Sequence, residues 1–209
     1  MRKNICMYSE IKNYLKNNLS EKRYTHTLAV AEECMYFADI FGLGEHERDV
    51  LNRAALFHDI TKEKTPDEHI CLCRVYNIEF DKAYLSTPAL FHSLTGGVFA
   101  RELFPTVCTD EVCELIDTHT TGRENMTLLQ KILFLADSTE ATRRHESCIE
   151  LRAYFHDNAA DNDPKILLDR AVVKNLDGTI SYLLRTGREI AVDTVKARNY
   201  LLKNSEVIK

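Results

Sequence analysis

Tryptophan is absent, and glycine and proline are scarce, at 7 and 4 residues in a chain of 209. So little punctuation excludes an architecture of many short strands joined by tight turns, which needs such residues every few positions. No apolar run approaches the roughly 20 residues that a bilayer-spanning helix requires. The N-terminal Met1-Arg2-Lys3-Asn4 leads into an amphipathic pattern without the apolar core of a signal peptide. A cytoplasmic protein with no membrane partner is therefore expected. Surplus positive charge is also missing: the formal net charge of −5 disfavours a nucleic-acid partner, because binding phosphate backbones needs clustered Lys and Arg. An anionic substrate must instead be attracted locally. The 7 cysteines are odd in number and irregularly spaced, in a chain large enough not to need staples, so reduced thiols are expected rather than a disulfide framework. Cys71-Leu72-Cys73 is a lone C-x-C with no second pair, and ordinary packed thiols are the simpler reading. Repeats and low-complexity segments are absent too.

What is present is helical. Hydrophobic residues make up 44% and charged residues 28%, an ordinary balance for a chain that folds, and the length suits one compact domain. Apolar residues recur at three- and four-residue spacing, so an all-α bundle is predicted. Ile5, Tyr8, Ile11, Leu15 and Leu19 form the stripe of a first helix, and Ser20 caps the next. That second helix runs from Glu21 to about Phe41 and stops at Gly42-Leu43-Gly44. A third runs from Glu45 to about Asp59. Thr65-Pro66-Asp67-Glu68 reads as a capping box with proline in the first turn, Asn77-Ile78-Glu79-Phe80 as a connection, and Thr87-Pro88 as another start. Thr109 caps a helix leading to His119, and Thr127 opens a central one containing Leu128, Leu129, Ile132, Leu133 and Leu135. Asp163-Pro164 opens a long helix with Ile166, Leu167, Ala171, Val172, Leu176, Ile180, Leu183 and Leu184 as its stripe. Gly187 ends it, and a final helix from about Asp193 to Leu202 closes the domain.

The chemistry gathers on Leu51-Asn52-Arg53-Ala54-Ala55-Leu56-Phe57-His58-Asp59-Ile60-Thr61-Lys62. An apolar helix that ends in an adjacent histidine and carboxylate buries both at a cost unless they are hydrogen-bonded or hold a cation. His26, His92, His119 and Asp137 each lie beside or within apolar segments and are the partners on offer. An isolated histidine among them would read as a satisfied core residue; an ordered set reads as a metal cluster. Lys62, with Arg23 near the start of its helix, could meet phosphate or simply face solvent. The polar stretch Thr120-Thr121-Gly122-Arg123-Glu124-Asn125-Met126 joins His119 to a fresh helix N-terminus, where amides and dipole favour anions; hydroxyls, a glycine and Arg123 suit a phosphate chain. The Gly96-Gly97 pair would weaken a helix, which implies close packing, room for a ligand or a merely tolerated flexible turn. His46, His69, His145 and His156 join no ligand pattern and are assigned surface or structural roles.

The order H…HD…H…H…D resembles that of the HD-domain metal-dependent phosphohydrolases, and in detail their symmetrical diadenosine tetraphosphate hydrolases. The matching stretches are His26-Thr27-Leu28-Ala29-Val30-Ala31, His58-Asp59-Ile60-Thr61-Lys62, His119-Thr120-Thr121-Gly122-Arg123, Ala136-Asp137 with Glu140, and Asp193-Thr194-Val195-Lys196-Ala197-Arg198-Asn199-Tyr200. The chain departs from that family at Ala141, where proline is usual, and at Ala191-Val192, where histidine and proline are usual. The resemblance implies a single HD-type domain over 1–209, with a metal-site core of about 21–140 and a helical C-terminal completion of about 147–203. It implies a dinuclear centre, with His26, His58, Asp59 and Asp137 on one ion and His92 and His119 on the other, Asp59 bridging. Iron is the implied metal, with manganese or another divalent ion as the alternative. It further implies that a hydroxide held between the ions cleaves diadenosine tetraphosphate to two ADP. His58, Asp59 and Lys62 would be catalytic, while Arg23, Lys62, Thr120, Thr121, Gly122, Arg123 and Arg143 would hold the polyphosphate. The competing readings are another HD phosphohydrolase, acting on a nucleoside monophosphate, a dNTP or a guanosine alarmone, and a metal- or nucleotide-binding module without turnover. The sequence leaves open whether the chain forms a homodimer.

Overall fold

A computed structural model of the chain describes residues 2–80 and 83–204, with side chains described for 7–80 and 84–204. Eleven α-helices, one 3-10 turn and no strand occur among the described residues, so the all-α expectation holds. The helices are α1 (Arg2–Asn18), α2 (Glu21–Ile40), α3 (Glu45–Phe57), α4 (Pro66–Val75), α5 (Ala83–Ser86), α6 (Phe91–Leu103), α7 (Asp110–Thr118), α8 (Leu128–Thr139), α9 (Glu146–His156), α10 (Pro164–Arg185) and α11 (Val192–Asn204). The Pro88–Leu90 turn precedes α6. The side chain of Ile5, counted in the first apolar stripe, lies outside the described residues.

Several helix starts follow their caps. The Ser20 hydroxyl accepts the Arg23 amide at 3.2 Å, and Thr65 and Glu68 form the expected capping box. The Asp163 carboxylate accepts the amides of Lys165 and Ile166 at the head of α10. Thr109 stands at the N-cap of α7 but makes no side-chain cap bond. Gly42 and Gly187 take positive φ just past the ends of α2 and α10, where a left-handed residue reverses the chain.

The core lies where α2 packs on α3 and α8, and α3 on α7. Phe37, Leu51, Phe57, Ile116 and Leu133 are all fully buried there, each contributing roughly 1.5–3 kcal/mol by leaving water. The α8 segment is central, as its all-round apolar pattern predicts: Ile132 through Ala136 are buried. The long stripe of α10 is buried or half-buried through Leu183, with α11 packed against the helix, and only its last member, Leu184, lies 67% exposed. A repeat of 3.6 marks a face and not its neighbour, so it does not say where the cover ends.

Close packing explains Gly96-Gly97. A Cβ on Gly96 would meet Ile116 Cγ2 at 3.0 Å, and one on Gly97 would meet the Cβ and Sγ of Cys113 at 3.1 Å. These glycines let α6 and α7 touch, and α6 and α7 deliver two of the candidate ligands. Gly97→Val is expected to destabilise the protein by about 1–3 kcal/mol through overpacking, outweighing the few tenths of a kcal/mol gained in helix propensity. The urea midpoint checks this; an unchanged or higher midpoint would show that the two helices can part at no cost.

Candidate metal centre

Six side chains from five helical segments meet in the interior. His26 comes from α2, His92 from the first turn of α6, and Asp137 from the last turn of α8. His119 follows the end of α7. The third helix stops earlier than expected, at Phe57, and His58-Asp59 lies in a run of turns bonded Ile60 N to Phe57 O, Lys62 N to Asp59 O and Lys64 N to Thr61 O, at 2.9–3.0 Å. The two side chains still meet there, with His58 Nε2 3.3 Å from Asp59 Oδ2. Glu63, in the same turn, accepts the Ser20 amide at 2.8 Å, fastening the start of α2 and its His26 to the HD segment.

The ligand atoms form two groups, His26 with His58 and Asp137, and Asp59 with His92 and His119, each with all atoms within 4.8 Å of one another. Asp59 faces both. Its Oδ2 lies 3.5 Å from His26 Nε2 and 3.3 Å from His58 Nε2, and its Oδ1 lies 3.2 Å from His92 Nε2 and 3.9 Å from His119 Nε2. Asp137 Oδ1 stands 3.0 Å from His26 Nε2 and 3.9 Å from His58 Nε2. Two donors each about 2.1 Å from one ion, at a right angle, stand about 3 Å apart, so these spacings fit an ion at each group.

The imidazoles are aimed. Each Nδ1 has an outer partner: Ala55 O for His58 at 2.7 Å, Ala89 O for His92 at 2.6 Å, Ile116 O for His119 at 2.6 Å and Glu140 Oε1 for His26 at 3.1 Å. Carbonyl and carboxylate partners require a proton on Nδ1, which turns the Nε2 lone pair inward, as metal-binding histidines are usually arranged. His92 and His119 Nε2 thereby approach to 3.0 Å. Burial holds His92 well below the usual histidine range and brings His119 down to about 4, so both rings are neutral near pH 7.

Positive charge gathers on this nest. Arg23 pairs with Asp59 Oδ2, Arg143 with Asp137 Oδ1 at 2.5 Å, and Lys62 Nζ sits 3.0 Å from His92 Nε2. Burial pulls His26 down, yet the carboxylates of Asp137, Asp59 and Glu140 outweigh it and raise the ring to about 10. Burial likewise pushes Asp59 up and is overcome by His58 and His26, leaving the carboxyl well below its ordinary range. A buried set that attracts two guanidinium groups, an ammonium and a proton is chemically suited to a divalent cation. The residues present therefore fit a metal.

The residues expected to hold phosphate divide. Arg23, Lys62 and Arg143 border the nest, and the Thr120 hydroxyl lies 3.0 Å from His92 Nε2 and 3.1 Å from His119 Nε2. Thr121 is buried and donates to Gly122 O at 3.0 Å. Gly122 has φ +66°, and a Cβ there would meet Ala197 Cβ of α11 at 3.2 Å, so its work is in the turn and the packing. Arg123 is exposed. The helix start after this loop is partly spoken for, since Thr127 and Gln130 form a capping box that takes the Gln130 amide. Cys71 is exposed while Cys73 is buried, so the C-x-C makes no joint site. His69 bonds Thr95 Oγ1 at 2.8 Å and His156 bonds Glu33 at 2.8 Å, which are structural roles.

The resemblance noted Glu140 without giving it a task. Its side chain is fully buried, accepts from His26 Nδ1, and is held by the Thr142 hydroxyl at 2.7 Å. Arg152 secures the same turn through Glu140 O at 2.7 Å. Spacing of three from Asp137 on a helical face was the available signal.

The chain belongs to the HD-domain family, whose profile matches residues 23–142. Within it, the curated relatives are of one kind. A protein of Halalkalibacterium halodurans named Bis(5'-nucleosyl)-tetraphosphatase, symmetrical, is 32% identical over 90% of this chain and 93% of its own length. One of Bacillus subtilis with the same name is 28% identical over 91% and 95%. A solved structure from Clostridium acetobutylicum, described as a "predicted HD superfamily hydrolase involved in NAD metabolism", superposes with a TM-score of 0.81 at 31% identity over 95% of this chain and 98% of that one.

Proposed function

We propose that this protein is a metal-dependent phosphohydrolase that cleaves dinucleoside polyphosphates, above all diadenosine tetraphosphate, symmetrically into two molecules of ADP. The carrying observation is Asp59, whose two oxygens face separate groups of imidazoles, as a bridge between two ions would. Two divalent ions held there supply a nucleophile usable at neutral pH and neutralise charge on the reacting phosphate. The oxygen- and nitrogen-rich set has no thiolate and suits iron or manganese.

The chain's own residues supply the rest. His26, His58, Asp59, His92, His119 and Asp137 fix the ions, with backbone carbonyls and Glu140 fixing the histidines. Lys62 lies at the edge of the second group and is partly exposed, within reach of a phosphate oxygen; Arg23 and Arg143 flank the first group and can exchange a carboxylate for a phosphate contact. Thr120 Oγ1, beside His92 and His119, is placed to donate to a bound oxygen. This concentration of positive charge answers the overall negative charge of the molecule. No helix among the described residues is long and apolar enough to cross a membrane, and we place the reaction in the cytoplasm.

Products decide the reading. With the metal-loaded protein and diadenosine tetraphosphate, ADP is expected as the sole nucleotide product; ATP with AMP would overturn symmetrical cleavage. NAD, nucleoside monophosphates, dNTPs and guanosine alarmones belong in the same panel, and faster turnover of any of them would reassign the substrate. Lys62→Ala is expected to raise KM about tenfold or more, the loss of one charge-assisted phosphate contact, while metal content stays unchanged. An unaltered KM would remove Lys62 from the substrate site.

A further inference from the structure

A second reactive arrangement surrounds the start of α7 and takes no part in the metal centre. Cys108 directly precedes the N-cap Thr109, and Cys113 lies in the first turns of the helix. Their sulfurs are 3.5 Å apart, in van der Waals contact and about 1.5 Å short of the ~2.05 Å of a disulfide. Joining them requires the two side chains to turn about their Cα–Cβ bonds. Cys108 is fully buried, and its thiol points at Gly97 O and at Cys113 Sγ, both at 3.5 Å. Cys113 is only half-buried and receives a hydrogen bond from Arg101 Nη2 at 3.1 Å. Arg101 Nε donates at 3.2 Å to Cys108 O, so one guanidinium braces both ends of the turn. The bare Cα of Gly97 leaves the room that the Cys113 side chain fills.

The charges around Cys113 sort the two sulfurs into different roles. A hydrogen bond from Cys108 holds the Cys113 thiol below its ordinary range, with Arg101 helping and burial and Asp117 opposing. The same contact, with burial, pushes Cys108 far up. Arg101 is itself shared with Asp110 Oδ1 at 2.7 Å. A thiol held below its ordinary range beside a guanidinium is a common setting of a nucleophilic cysteine.

We infer that Cys113 is a reactive thiol and Cys108 its resolving partner, a dithiol site for low-molecular-weight disulfides. The Cys113 thiolate attacks one sulfur of the small disulfide, forming a mixed disulfide and releasing one thiolate. That thiolate takes the Cys108 proton, and the Cys108 thiolate then attacks Cys113 Sγ, expelling the second thiolate. Two electrons pass from the cysteines to the small disulfide; the second thiolate takes from water the proton that Cys113 lost on ionising, so two thiols are released.

The full-length, metal-loaded protein treated with oxidised glutathione near neutral pH tests this. Residues 102–123, bounded by Arg101 and Arg123, contain Cys108 and Cys113 and no other cysteine, so one tryptic peptide reports on the pair. After alkylation of free thiols, this peptide is expected unalkylated and lighter by two hydrogen atoms, before glutathione appears on exposed Cys71. Dithiothreitol should restore both thiols. Cys108→Ser should arrest Cys113 at the glutathione adduct, and Cys113→Ser should leave Cys108 a free thiol. Arg101→Gln, read on peptide 83–123 because the cleavage site at 101 is lost, should slow the reaction severalfold, since the guanidinium that hydrogen-bonds Cys113 Sγ is gone. Peptide 102–123 keeping both thiols while Cys71 is modified would overturn the assignment. So would a lasting glutathione adduct on Cys113 of the unaltered chain, which would show that Cys108 does not reach it.

Discussion

Asp59→Asn is expected to abolish phosphohydrolysis and to strip the protein of bound metal in one substitution. Asparagine keeps the volume, so packing around His58 is preserved, but it removes the negative charge and leaves one oxygen where there were two. The oxygen facing His26 and His58 and the one facing His92 and His119 can no longer both serve. Metal-assisted charge stabilisation is a matter of several kcal/mol, and at about 1.4 kcal/mol per decade the fall in kcat/KM should reach roughly a thousandfold. Folding should survive, because the guanidinium that Asp59 releases belongs to Arg23, which is partly open to water. Elemental analysis of the purified variant, with circular dichroism as the folding control, checks the prediction. A variant that is folded, fully loaded and active would show that Asp59 does not join the two groups.

The second large effect lies one bond further out. Glu140→Gln is expected to weaken metal binding about 10–100-fold, the usual consequence of losing an outer partner of a liganding histidine. The Glu140 carboxylate accepts from His26 Nδ1 at 3.1 Å and from the Thr142 amide and hydroxyl. A carboxamide must turn an NH2 group towards one of those donors. If the NH2 faces His26, the buried Nδ1 donor is left without an acceptor, costing about 1–3 kcal/mol; if it faces exposed Thr142, the turn after α8 loosens instead. Titration with a divalent metal measures the first loss and thermal unfolding of the metal-free protein the second. Wild-type affinity in the Gln variant would show that Ile132–Ala136 packing alone orients His26 and its neighbours.

The helices were legible because their signals are local. Thr65 with Glu68, Ser20 before α2 and Asp163 before α10 lie within four residues of the amides they serve, and an apolar period of three to four needs no knowledge of the fold. Thr109 stands at the N-cap as expected, though without a side-chain bond, whereas the exposure of Leu184 at the end of α10 depends on what packs there, which a local signal does not contain. Gly96-Gly97 left packing, a ligand and a tolerated turn open together, and only the approach of Ile116 and Cys113 decides among them. The polar loop after His119 shows the same limit: its residue types suit an anion, but the fold turns the Thr121 hydroxyl and Gly122 into the protein and leaves Arg123 exposed.

By itself the sequence determined an all-helical chain, the identity of six side chains able to hold metal, and the likeness of their order to that of HD-domain phosphohydrolases. The tertiary structure decided that the six converge, that the two Asp59 oxygens look in different directions, and that every Nδ1 is occupied from outside. Residue type and order are one-dimensional facts that chemistry can interpret directly. Convergence is decided by how α2, α3, α6, α7 and α8 pack, and a ring's orientation by a partner such as Ala89 O, Ile116 O or Glu140. Such distances are set by the burial of the whole core.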